Sequence, residues 1–291
     1  MLIDKIFVIF ECYKNNRMEV PKSERKWLLV AAYELLGTAL FVYCILTSMG
    51  NPLAAVVGLF SSIIVFGGIT GGHFNPAVSI GVFLANGKYA TQLLLLILII
   101  IGQLLGAALG FGLAVLSLYR TSGHEFIPVS HIPNLCPEDT ELNKEGTMAK
   151  GCDGLDGNGF QYDVQAFFTQ VVATFIFISV ILMIKGLAGP APTKDGAAGA
   201  MAVIATLYGL IFVALKAGPC LNPAVALAFT LMEIIFTNNP NGAYTHYIVT
   251  YTAGPAIGGL IAGLFALLNK KVHHSPLVVA PEVDVTDKSI N

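Results

Sequence analysis

Charge is what this sequence has least of. Only 12% of its 291 residues are Asp, Glu, Lys or Arg, while 55% are hydrophobic. Soluble domains usually carry about 25% charged residues, so half the water-facing charge of an ordinary soluble enzyme is missing. A mean hydropathy of +0.72 excludes a disordered chain as well. The net charge of −2 leaves no basic surface for nucleic acid, which is not expected as a partner. Cysteine is scarce: the five residues Cys12, Cys44, Cys136, Cys152 and Cys220 contain no C-x-x-C pair, and an odd number cannot complete a disulfide framework. Neither a metal nor another cofactor is expected. The sequence also lacks a phosphate-cradling glycine loop and a charged midplane pair, so nothing in it couples transport to ATP or ions.

Apolar length is what the chain has in plenty. Six stretches, 27–49, 53–70, 90–118, 164–185, 197–216 and 244–268, reach or approach the roughly 20 residues a helix needs to cross a bilayer. The third is longer than a span requires, so its end is expected to project or the helix to tilt. Two shorter runs, 75–85 and 222–236, are interrupted by Gly or Pro and are too short to span. They read as re-entrant half-helices, tolerated at membrane depth only when buried in protein or lining a cavity. Thirty glycines in so apolar a chain point to closely packed helices. The expected fold is an all-α, multi-pass protein with the lipid bilayer as its surroundings. Residues 2–13 are apolar without a cleavage site, so no leader is expected there; a short surface helix and a frayed terminus are both open readings.

Basic residues orient the spans. Twelve of the 16, including Lys5, Lys14, Arg17, Lys22, Arg25, Lys26, Lys88, Lys185 and Lys194, fall on one side under a six-span topology. The other side holds Arg120, Lys144, Lys150 and Lys216, among acids such as Glu125, Glu138, Asp139 and Asp153. That bias places both termini in the cytoplasm. The chain then divides into a cytoplasmic segment 1–26, a membrane unit 27–268 with halves 27–118 and 164–268, an outer loop 119–163, and a cytoplasmic tail 269–291. An oxidising exterior permits a disulfide between Cys136 and Cys152 without requiring one. The plasma membrane is the expected location, rather than an organelle. His124 and His131 in the same loop read as solvated side chains and not as a metal or hydrolytic site.

The most informative feature is a repeat. Residues 73–81 read His-Phe-Asn-Pro-Ala-Val-Ser-Ile-Gly and residues 220–228 read Cys-Leu-Asn-Pro-Ala-Val-Ala-Leu-Ala. Each copy of Asn-Pro-Ala-Val opens a short apolar run, and three spans separate them. An odd number of crossings inverts the second half, and inverted repeats place a solute pathway near the midplane. Pro76 and Pro223 suit the first turn of a helix. Asn75 and Asn222 suit the N-cap and keep an amide NH2 for a passing solute. Two half-helices meeting N-terminus to N-terminus put both positive dipole ends at the centre, which repels cations and admits neutral solutes.

On these residues the sequence resembles the aquaporin, or major intrinsic protein, superfamily from about Lys26 to Leu268. Besides Asn75-Pro76-Ala77 and Asn222-Pro223-Ala224, the resemblance rests on Gly71-Gly72-His73-Phe74, Tyr33-Glu34-Leu35-Leu36-Gly37-Thr38, Gln103, and Gly254-Pro255-Ala256-Ile257-Gly258-Gly259. It implies six membrane helices with two half-helices, a pore in every protomer, and a homotetramer. It implies that Glu34 accepts hydrogen bonds from a re-entrant loop, that Gln170 does so in the inverted half, and that His73 positions its loop, with pH gating by His73 as an alternative.

The family's outer selectivity filter is where the match breaks. Counted from Asn75 and Asn222, its four positions hold Ala55, Leu210, Pro219 and Val225. The resemblance implies an arginine where Val225 stands, which would oppose cations and hydrogen-bond the solute. Valine does neither. The expected constriction is wider and more apolar, with Lys216 as an alternative donor at the outer mouth. The long outer loop and the 33 residues from Asn222 to Pro255 resemble the glycerol-conducting branch; Ala226 does not. The expected function is a passive channel, not an enzyme, for water and small uncharged solutes such as glycerol or urea. The alternatives are a poorly conducting structural or adhesive membrane protein, and a leak for ammonia or small cations.

Overall fold

The structure is a computed structural model that describes residues 22–48, 51–118, 159–236 and 248–274. Cys136, Cys152, the N-terminal stretch 2–13 and nearly all of the outer loop lie outside the described residues.

Helices account for almost everything described. They are α1 (Lys22–Thr47), α2 (Pro52–Thr70), α3 (Pro76–Asn86), α4 (Tyr89–Leu118), α5 (Gly159–Ile184), α6 (Gly196–Val213), α7 (Pro223–Phe236) and α8 (Ile248–His274). Six of them are long and apolar enough to cross a membrane; α3 and α7 are the two short ones. No strand occurs among the described residues. This is the all-α architecture expected from the hydrophobic pattern.

Local chemistry sets the helix ends. Asn51 caps α2, its side chain accepting from Leu53 N at 2.9 Å, with Pro52 in the first turn. Asp195 caps α6 by accepting from Ala198 N at 2.8 Å. Both α2 and α3 stop at a left-handed glycine, Gly71 (φ 87) and Gly87 (φ 70), the conformation glycine adopts without a Cβ clash. Several ends differ from the hydrophobic pattern: α1 begins at Lys22 and α5 at Gly159, each five residues before its apolar stretch. Helix α6 stops at Val213, not 216, because the chain tightens into a 3-10 turn at Leu215–Ala217 and then meets Gly218 (φ 68). Helix α8 continues past 268 to His274. Its last turns are polar, and Lys270 Nζ donates to Ala85 O at 2.8 Å, fastening that end to the base of α3.

Packing repeats across the two halves. Helix α1 lies along α4, and α5 lies along α8. Gly102, Gly106 and Gly110 of α4 face the carbonyl oxygens of Ala31, Leu35 and Ala39 on α1, so the helix backbones touch. In the second half Gly258 of α8 faces Val171 O of α5, where a Cβ would stand 2.5 Å away. Gly259 and Gly263 of α8 then press on Ala77 O and Gly81 O of α3, which ties the halves together. Small residues are what permit this approach where lipid supplies no hydrophobic drive between helices. Large side chains such as Ile64, Val65, Leu105, Phe168 and Phe212 remain about half or more exposed on the outside, a surface suited to acyl chains and not to water.

Replacing Gly106 with Leu should force α1 and α4 apart and lower the unfolding temperature in detergent, at a cost of about 1–3 kcal/mol or more. Gly112→Leu, on the same helix where a Cβ meets nothing within 4 Å, should shift it by less than about 0.5 kcal/mol. Equal losses would show that backbone contact does not hold this pair.

Candidate functional site

The two Asn-Pro-Ala loops meet inside the bundle and are held by a crossed exchange. Asn75 Nδ2 donates to Leu221 O at 2.9 Å, and Asn222 Nδ2 donates to Phe74 O at 2.9 Å. Each asparagine also caps its own half-helix: Asn75 Oδ1 accepts from Ala77 N at 2.8 Å, and Asn222 Oδ1 from Ala224 N at 2.9 Å. An amide NH2 has two hydrogens, so one on each asparagine is left for a solute. The carbonyls reach across because Phe74 (φ 46) and Leu221 (φ 53) are left-handed, the two non-glycine residues in that region among those described. Each such residue costs about 1–3 kcal/mol, which its hydrogen bonds must offset.

Those bonds come from α1 and α5. Glu34 Oε2 accepts from Phe74 N at 2.7 Å and from Gln103 Nε2 at 2.8 Å, and Oε1 accepts from His73 N at 3.0 Å. A fully buried carboxylate is thus surrounded by three donors, the condition under which a charge is tolerated at such depth. In the inverted half Gln170 Oε1 accepts from Leu221 N at 3.1 Å and Cys220 N at 3.3 Å, while Nε2 donates to Gly218 O at 2.8 Å. The amide does the work of the carboxylate and adds a donor. Ser79 Oγ donates to Asn75 O at 3.2 Å. Its one proton is thereby used, so at the 3.2 Å contact with His73 Nδ1 the histidine is assigned as donor.

At this junction lies a cavity of about 20 Å³, room for a single water, which needs about 10–15 Å³. Asn75, Asn222, His73 and Cys220 supply its polar edge, and side chains such as Phe41 and Phe177 its apolar wall. Polar donors on one edge and hydrocarbon opposite suit a small neutral molecule: it trades hydration for two amide donors and meets no fixed charge on the wall.

A model of the family described as Major intrinsic protein matches residues 34–266. The chain belongs to the major intrinsic protein family. It is 26% identical to aquaporin-8 of Rattus norvegicus over 249 residues, 81% of this chain and 79% of that protein. It is 31% identical to aquaporin TIP1-1 of Arabidopsis thaliana over 225 residues, 75% of this chain and 71% of that protein. In three dimensions it resembles the aquaglyceroporin from Plasmodium falciparum, with a TM-score of 0.58 at 19% identity, covering 84% of this chain and 97% of that one. That likeness is one of fold. Major intrinsic proteins are channels, so this chain is a multi-pass membrane channel for passive movement of water and small solutes and not an enzyme.

The positions counted off as the outer filter lie apart from the cavity. Ala55 is on α2, Leu210 on α6, Pro219 just beyond the 3-10 turn and Val225 on α7. Leu210 and Val225 are buried, Ala55 and Pro219 half-buried. Ala55, Leu210 and Val225 belong to one apolar cluster; none of the four lines the cavity. Lys216 falls in the 3-10 turn, and its side chain lies outside the described ones. Sequence reasoning missed Phe41 and Phe177. Each stands seven residues after Glu34 or Gln170, so carrying the repeat into α1 and α5 would have paired them.

Glu34→Ala should leave two loop N–H groups without an acceptor in the interior, at about 1–3 kcal/mol each, while the Gln103 amide keeps its bond to Ser79 Oγ. Glu34→Gln should cost far less, because Gln170 already holds the matching loop with one amide oxygen. Thermal unfolding of the purified variants checks this; equal destabilisation would mean that Glu34 acts through its charge and not through the bonds.

Proposed function

We propose that this channel conducts water and small uncharged solutes, including glycerol- or urea-sized molecules, through a pore in each protomer of a homotetramer. The carrying observation is the pair of crossed asparagines, each with one amide hydrogen left at a cavity walled by hydrocarbon. The half-helix N-termini of α3 and α7 add positive potential at the same place, which favours neutral cargo over cations. Both termini are assigned to the cytoplasm on the distribution of basic residues, and the plasma membrane is the proposed location.

The outer constriction is assigned to Ala55, Leu210, Pro219 and Val225. Two of these side chains are aliphatic, one is a methyl and one a proline ring, so the constriction offers neither charge nor donor. Such a filter discriminates by size alone. The cavity between the loops has room for about one water, so a glycerol-sized solute would have to displace side chains such as Phe41 and Phe177. Water should therefore move fastest, with glycerol and urea slower but measurable.

Vesicles reconstituted with the purified protein test this. Water flux above empty vesicles, with slower glycerol and urea flux, is the expected result; no flux of any of the three from folded protein would sink the channel reading. Placing arginine at the filter, Val225→Arg, should cut glycerol and urea flux by about tenfold or more while sparing water by comparison, since it narrows the opening and adds donors. Unchanged selectivity would show that Val225 is not at the constriction.

A further inference from the structure

Resting on the channel reading above, we infer that Lys185 is a fixed-charge barrier at the mouth opposite the outer filter, and that it supplies the cation exclusion which the Val225 position does not. Phe177 and Ile181 of α5 line the cavity, and Lys185 follows Ile181 by four residues, one turn further along the same face. Its side chain is half-buried, and its ammonium donates to the carbonyl oxygen of Gly71. The site where a Gly71 Cβ would stand lies 3.3 Å from Lys185 Nζ and 3.6 Å from His73 Nε2. Gly72 and His73, the next residues, line the cavity. The charge therefore sits against the re-entrant loop and within reach of the pathway, whereas a lysine at a span end ordinarily extends outward to the interface.

Its end of the pore follows from topology. Helices α5 and α6 run antiparallel through a short connection, so Lys185 lies level with the start of α6 and Leu210 lies towards the far end. The counter-charge is Glu34, which stands behind the loop, fully buried, with both oxygens turned to loop N–H groups and to Gln103. A cation entering from this end meets the ammonium first and the carboxylate only through the loop. At protein-like dielectric a unit charge a few ångströms away is a substantial barrier.

The rival role is a tether for Gly71, and the variants separate the two. K185M removes charge and donor; K185Q removes the charge and keeps a donor, which serves if K185M does not fold; K185R keeps both. The readout is the ratio of sodium or potassium permeability to water permeability in reconstituted vesicles. K185M and K185Q should raise that ratio by about tenfold or more, K185R should leave it near the starting value, and V225R combined with K185Q should bring it back down. A K185Q ratio equal to the unmodified channel's, or K185R leaking as K185Q does, overturns the inference. So does an unmodified channel that already passes cations freely, which would leave the water-channel reading standing; an unmodified channel without water flux would end that reading first.

Discussion

Everything central in this molecule hangs on two amide groups reaching across a pseudo-twofold axis. Asn75 and Asn222 each cap their own half-helix and donate to the carbonyl before the other's motif. A half-helix ending inside a bilayer exposes unsatisfied N–H groups, and nothing in hydrocarbon can satisfy them. The capping Oδ1 atoms take one such N–H in each half-helix, and the crossed donation to the carbonyls fixes the distance between the loops. Because each asparagine bonds to a residue held at positive φ, the arrangement also needs support from behind.

That support explains why buried polar groups occur in so apolar a chain. Glu34 and Gln170 take the N–H groups of Phe74 and Leu221, the two strained residues. For Phe74 the acceptor is charged and the bond is worth about 1.5–3 kcal/mol, enough to offset about 1–3 kcal/mol of left-handed strain; for Leu221 the neutral amide contributes about 0.5–1.5 kcal/mol. The glycines act at the next level out. Gly37 leaves the space that the Phe74 ring fills, and Gly259 lets α8 lie on the Ala77 carbonyl. Strain at the centre is thus held by close contact at the periphery.

The fold was legible in the sequence because its causes are local and periodic. Apolar length marked the six spans, and Asn-Pro marked both half-helix starts. Two of the helix ends that differed were set by things that hydropathy does not weigh: a 3-10 turn before Gly218, and polar turns of α8 anchored through Lys270. The loop network was legible in part. Glu34 stood out as an acid inside a span, and Gln170 followed by inversion. Phe41 and Phe177 needed the repeat carried into α1 and α5, and Cys220 and Lys185 gave no such signal, since a thiol or a terminal lysine is ordinary in a membrane protein. Only placement around the loops distinguishes those two.

The two halves share Asn-Pro-Ala-Val, so the difference between the two mouths has to come from residues around it. Gly71 and Gly218 occupy matching places, both at positive φ, and each carbonyl needs a donor. Gln170 supplies one to Gly218 through its own Nε2. Glu34, as a carboxylate, has no N–H to give, and the donor to Gly71 is Lys185. One exchange, a carboxylate where the other half has an amide, therefore brings a lysine to the pore mouth. The half that carries a buried acid recruits a base to its loop carbonyl, and the half that carries a neutral amide does not.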